Sequence, residues 1–339
     1  MTRILVVAPS WIGDLVMAQP TLARLKSRFP DAPIDVFAPA WCSALLHRMP
    51  EVDAIVDNPL PHGSLGLAHR ARIGRDLGGR YARAVVLPNS FKSALVPWFA
   101  RIPMRTGYVG EMRQLVLNDV RRLDTARLPR LVDRYAALAD PPDTAVAPAP
   151  APRLLDLAER RQATLAALGL STETRPVAVF CPGAEFGPAK RWPAEHFAAL
   201  ARTLSQRGFA VWLVGSAGDA AHGESIAAAA QGACVNLCGK TKLEQAVDVI
   251  AAASLVVSND SGLMHVAAAL DRPLVAVYGS SSPAYTPPLS PDARVVRLGL
   301  DCSPCFKREC PLGHLDCLRK LAPDRVLAEI DALALRPGA

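Results

Sequence analysis

The run Val256-Val257-Ser258-Asn259-Asp260-Ser261-Gly262-Leu263-Met264-His265 passes from a β-branched stretch to an apolar helical pattern through Asp-Ser-Gly, and chemistry is first legible at that junction. A helix that starts on a tight turn presents unpaired N–H groups and the positive end of its dipole, which together attract an anion. Asp260 or Ser261 is the expected N-cap, Gly262 lets a ligand approach the backbone, and His265 follows about one turn later, facing the same mouth. An ordinary capped helix explains the turn equally well. In the loop from Cys181 to Pro193, Lys190 and Arg191 stand just before a helix that Pro193 is suited to begin. Cations there oppose the helix dipole, so a phosphate partner is the better explanation. In Gly215-Ser216-Ala217-Gly218-Asp219 the carboxylate suits ribose hydroxyls or, more simply, a cap. Asp14, in Ser10-Trp11-Ile12-Gly13-Asp14, offers a general base at the end of the first strand, with a surface cap as the plainer role. Asn89, Ser90 and Lys92 in Pro88-Asn89-Ser90-Phe91-Lys92-Ser93 can hold an anionic acceptor, with the stretch from Gly107 to Arg113 as a neighbouring wall.

Apolar runs alternating with helical patterns must position these loops, and they predict βα units on parallel sheets. Strands are expected at 4–8, 34–38, 54–56, 84–87 and 106–109, then at 177–180, 210–214, 255–257 and 274–278. Helices are expected from the first loop to Phe29, started or kinked by Pro20, and at 154–168, 194–206, 219–229, 243–252 and 263–270. The first loop has a single glycine, so it is not the Gly-rich dinucleotide fingerprint, and a dehydrogenase reading loses its main support. The stretch 140–153 is a Pro-rich extended linker. The economical fold is α/β, with two doubly wound Rossmann-like domains facing across a cleft: residues 1–170, residues 171–322, and a terminal segment 323–339.

A chain of 339 residues, half of them hydrophobic, fills two cores. No apolar run reaches the roughly 18 to 20 residues of a membrane span. The N-terminus imitates a signal peptide until Asp14 interrupts it, and it reads as a buried strand of a cytoplasmic protein. Residues 1–139 hold 19 Lys and Arg against 11 Asp and Glu, whereas the remainder holds 19 against 20. A basic first half suits a phosphorylated substrate or an anionic membrane surface, or is simply a solvated face. Nucleic acid ranks last, since neither interleaved aromatics nor a DNA-binding motif accompanies the charge. Four of the eight cysteines form Cys302-x2-Cys305-x4-Cys310-x6-Cys317. That spacing permits a structural zinc, but only the first pair is strongly metal-like, and reduced packing cysteines or disulfides stand ahead of it.

The 182–193 loop, Asp260-Ser261-Gly262-x-x-His265 and Trp11-Ile12-Gly13-Asp14 together resemble the ADP-heptose:lipopolysaccharide heptosyltransferases of glycosyltransferase family 9. The 88–93 and 302–314 segments match the branch that adds the second inner-core heptose. The resemblance covers nearly the whole chain, with the Pro-rich segment as its departure. It implies a GT-B fold and inverting transfer, with ADP-heptose on the second domain and heptosyl-Kdo-lipid A on the first. Peripheral contact with the inner membrane surface is implied as well, as is a last helix, 323–335, that crosses back to the first domain. On that reading Asp14 is the base, and Lys190 with the Ser261 and Gly262 amides holds the diphosphate. Asp260 and Asp219 meet donor hydroxyls, His265 orders the turn, and Asn89, Ser90, Lys92 and Arg113 meet the acceptor. The chemistry needs no metal, because a lysine and a helix terminus do a cation's work. Alternatives are addition of the first heptose to Kdo-lipid A, a GT-B nucleotide-sugar epimerase, and a non-catalytic glycan or membrane-surface binding module.

Overall fold

Strands buried on both faces read as unbroken apolar runs, and such runs supply the centres of two parallel sheets. A computed structural model describes residues 3–61, 63–142, 144 and 147–333. It divides into two units, Met1–Arg153 and Leu154–Ala339. In the first, β1 (Ile4–Val7), β2 (Ile34–Ala38), β3 (Ala54–Asp57), β4 (Arg83–Val86), β5 (Met104–Tyr108) and β6 (Asp119–Arg121) pair in the order β3-β2-β1-β4-β5-β6. In the second, β7 (Val177–Cys181), β8 (Ala210–Leu213), β9 (Val235–Asn236), β10 (Leu255–Asn259), β11 (Leu274–Val277) and β12 (Ala293–Val296) pair as β12-β11-β10-β7-β8-β9. Each unit therefore has the doubly wound order 3-2-1-4-5-6. Its topological switch point lies between β1 and β4 in one unit and between β7 and β10 in the other. Leu5, Val7, Phe37 and Val86 centre the first core, and Phe180, Trp192, Phe197 and Val257 the second.

Several expectations are corrected. The helix Ile12–Arg28 runs through Pro20, which neither starts nor ends it; the buried ring forgoes only the hydrogen bond that would reach the Val16 carbonyl. The helix Ala158–Ala167 belongs to the second unit rather than to residues 1–170. Arg160 meets Glu244 at 2.6 Å and Thr164 donates to Asp248 at 2.7 Å, which joins it to the helix Leu243–Ala251. The last helix is Pro323–Asp331, and Val326 and Ile330 enter the core of the second unit with Phe197 and Leu204. Residues 334–339 of that expectation lie outside the described residues. The Pro-rich stretch is fastened to the first unit: Arg24 bonds Asp140 and the carbonyls of Ala147 and Pro148, and Arg153 N–H donates to Gln19 at 3.1 Å. Among the described residues no helix is long and apolar enough to cross a membrane.

Candidate functional site

Two loops leave the carboxyl ends of β7 and β10, and one buried amide ties them together. Asn259, the last residue of β10, donates to the Pro182 carbonyl at 2.7 Å and accepts from the Trp192 N–H at 3.1 Å, so it fastens both ends of the loop after β7. Trp192 is fully buried and donates from Nε1 to the Leu321 carbonyl at 2.8 Å. Between these anchors a short helical turn, Pro188–Lys190, sets Lys190 with its Nζ 2.6 Å from Asp260 Oδ2 and 5.0 Å from the centre of the Phe186 ring.

Asp260 is committed to this pair rather than to the helix. Its Oδ2 also accepts from the Ser281 hydroxyl, and its N–H donates to Val277 at 3.0 Å. Ser261 takes the N-cap position in an extended conformation, yet its side chain makes no capping bond, and no acidic residue occupies the first turn of Gly262–Ala269. The start of that helix thus keeps its dipole uncompensated beside a lysine, which suits a diphosphate. His265 is buried, and desolvation pushes its pKa down to about 4, with Asp260 raising it and Lys190 lowering it by smaller amounts. A neutral imidazole adds no charge to the site.

The basic pair read from sequence is split between two carboxylates. Lys190 goes to Asp260, and Arg191 reaches Asp219 at 3.3 Å. Asp219 is buried, and its Oδ2 accepts from Ser216 N–H at 3.0 Å and from the Ser216 hydroxyl at 2.7 Å, closing its own turn. A Cβ on Gly183 would fall 2.3 Å from that same oxygen, so only glycine lets the loop after β7 pass it.

In the first unit Asp14 lies in the opening turn of Ile12–Arg28, directly after β1 at the switch point. Asn89 is exposed, while Ser90 and Lys92 are half-buried. The expected wall is present, with Phe91 N–H donating to Glu111 at 2.8 Å. Arg113 differs from its expected role. Fully buried, it donates to the Pro88 carbonyl at 2.6 Å, to Asn89 Oδ1 at 3.1 Å and to the Val86 carbonyl at 3.3 Å, with burial bringing its pKa down to about 10. It shapes the 88–93 loop from within, through space left by Gly107. Arg70 and Arg105 likewise donate to backbone carbonyls, so part of the basic excess is structural.

Sequence reading missed Asn259, Ser281 and Phe186. Ser281 had a signal, since Ser280-Ser281-Ser282 follows the strand beside β10 at its carboxyl end. Asn259 had another, as a polar residue closing an apolar strand. Exposed Trp11, Trp41, Val109 and Met112 follow the carboxyl ends of β1, β2 and β5, a set of apolar tips that composition alone did not single out. Cys302, Cys305, Cys310 and Cys317 are free thiols.

Residues 70–316 match the family Glycosyltransferase family 9 (heptosyltransferase). The chain is 51% identical to lipopolysaccharide heptosyltransferase 2 of Salmonella typhimurium over 99% of each chain. It is 51% identical to the protein of that name from Escherichia coli, over 99% of this chain and 100% of the other. The solved structure of E. coli ADP-heptose lps heptosyltransferase II superposes with a TM-score of 0.88 at 48% identity, covering 98% of both chains.

Proposed function

Because the chain belongs to glycosyltransferase family 9, the heptosyltransferases, and has their GT-B fold, we propose that it adds the second heptose of the lipopolysaccharide inner core. The donor is ADP-heptose, the acceptor is the first heptose of heptosyl-Kdo-lipid A, and the transfer inverts the anomeric carbon. The observation that carries this reading is the uncapped start of Gly262–Ala269 beside Lys190, a charge-stabilising site for a departing diphosphate. On binding, the diphosphate competes with Asp260 for the Lys190 ammonium. Asp260, still held by Ser281, then turns toward donor hydroxyls, and Asp219 stays with Ser216 unless a ribose displaces it.

Inversion needs a base for the acceptor hydroxyl, and Asp14 takes that proton. The fixed charge at the diphosphate comes from Lys190 and the helix amides, so the scheme calls for no metal. Asn89, Ser90 and Lys92 meet the acceptor's anionic groups. The apolar tips Trp11, Trp41, Val109 and Met112 suit an acceptor embedded in an anionic membrane, with the protein working peripherally at its cytoplasmic face. Purified protein incubated with ADP-heptose and acceptors bearing zero, one or two heptoses, read by mass, tests all of this. Addition to the one-heptose acceptor is expected. Addition only to the zero-heptose acceptor assigns the first step instead, and ADP release with free sugar and no acceptor product overturns the transferase scheme.

A further inference from the structure

We propose that Cys302, Cys305, Cys310 and Cys317 form a binding site for one thiophilic metal ion, zinc or iron, which fastens the loop carrying Lys190. The four thiols, 16 residues from first to last, line a single cavity of about 20 Å³ together with His314, Ala189 and Ser280. Ser280 supplies an independent sign that the cavity takes a ligand, because its hydroxyl is buried there without a hydrogen-bond partner. An all-sulfur set selects zinc or iron. Among the described residues no three ligating side chains already stand at metal-holding spacing, so the ion would draw the thiols inward across the cavity.

The same segment grips the donor loops from both sides. Arg308 accepts from Ala189 N–H at 3.0 Å and donates to the Phe186 carbonyl at 2.6 Å, next to the ring beneath Lys190. A Cβ on Gly187 would fall 2.5 Å from the Arg308 carbonyl, so the two loops meet backbone to backbone. On the other side, Phe306 N–H donates to the Ser280 carbonyl at 2.6 Å and Ser303 to the Gly279 carbonyl at 2.6 Å, one and two residues from Ser281, which holds Asp260. An ion that closed the cysteine loop would therefore fix both partners of the Lys190–Asp260 pair.

The test needs no transferase assay, so its outcome is separate from that of the proposed function. Untagged full-length protein, purified without chelator, is analysed for zinc and iron, and the metal-depleted protein is titrated with cobalt(II) chloride. About one ion per chain and the absorption of tetrahedral cobalt thiolate are expected. Cys310→Ser and Cys317→Ser should each lose that absorption, and zinc should raise the melting temperature of the depleted wild type but not of the variants. Absence of stoichiometric metal together with a featureless cobalt titration of the wild type overturns the proposal. So does mass mapping that finds these four cysteines joined as disulfides in the purified protein.

Discussion

The Lys190 ammonium lies 2.6 Å from Asp260 Oδ2, and the carboxylate is almost wholly buried while the lysine keeps some contact with solvent. On the proposed function, a pair of that kind stores a cation until the donor's diphosphate arrives. Lys190→Ala is expected to lower kcat by roughly 100-fold or more, the scale of losing one preorganised charge donor. It should also cost stability, since Asp260 is left with Ser281 alone, toward about 3 kcal/mol and reduced by the partial exposure of the lysine. Steady-state kinetics beside thermal melts separate the two effects. A rise in donor KM with kcat unchanged would mean that Lys190 only binds the ground state.

Asp14→Asn keeps the side-chain shape and removes the proposed base. The expected result is a loss of about 100-fold or more in kcat with ADP-heptose affinity nearly unchanged. Near-native turnover across the pH range would mean that the proton leaves by another route.

Lys92 and Arg113 should behave differently when their charges are changed, although the sequence presents both alike as loop cations. Lys92→Glu is expected to raise the acceptor KM while leaving ADP binding and the melting temperature alone. Arg113→Met strips the buried partners from the Pro88 and Val86 carbonyls and from Asn89, a loss of about 1–3 kcal/mol for each group left unsatisfied. Its melting temperature should fall before any acceptor effect is read. An Arg113 variant that melts normally and fails only on acceptor would place that guanidinium on the substrate after all.

The pH dependence of stability follows from His265. Its folded pKa of about 4 lies below the ordinary value of 6.5, so the unfolded chain binds the proton more readily. Its contribution is complete above about pH 6.5 and is lost as the pH falls toward 4, by roughly 3 kcal/mol at about 1.4 kcal/mol per unit of pKa. Denaturant melts of His265→Gln should show a shallower decline than wild type across that window. His196 and His222, also lowered chiefly by burial, supply a remaining slope common to both proteins. Equal slopes in wild type and variant would contradict the burial of a neutral imidazole.

The central strands were legible because both their faces are covered, so β1, β7 and β11 appear as unbroken apolar runs, and β2 and β10 as apolar runs broken only by Asp35 and by the closing Ser258-Asn259. The outer strands β6, β9 and β12 were not, because they are short and partly exposed, and Asp119, Arg121 and Asn236 interrupt their pattern. At the site, the Asp260 turn and Lys190 stood out through local chemistry. Their union did not, since it spans 70 residues of chain and depends on Asn259 tying β10 to a loop that starts 77 residues earlier. Arg113 was misjudged for the opposite reason: composition counts a charge without saying whether it faces water or a carbonyl.

One strand order is repeated in two units with the boundary between residues 153 and 154, and on the proposed function this divides the recognition of two substrates along the chain. Every residue proposed for the sugar nucleotide lies after the boundary, and every residue proposed for the acceptor lies before it. Exchanging the segment upstream of Leu154 among homologues should therefore redirect the enzyme to new glycan cores while the donor stays the same, which makes that segment the natural unit for a combinatorial library.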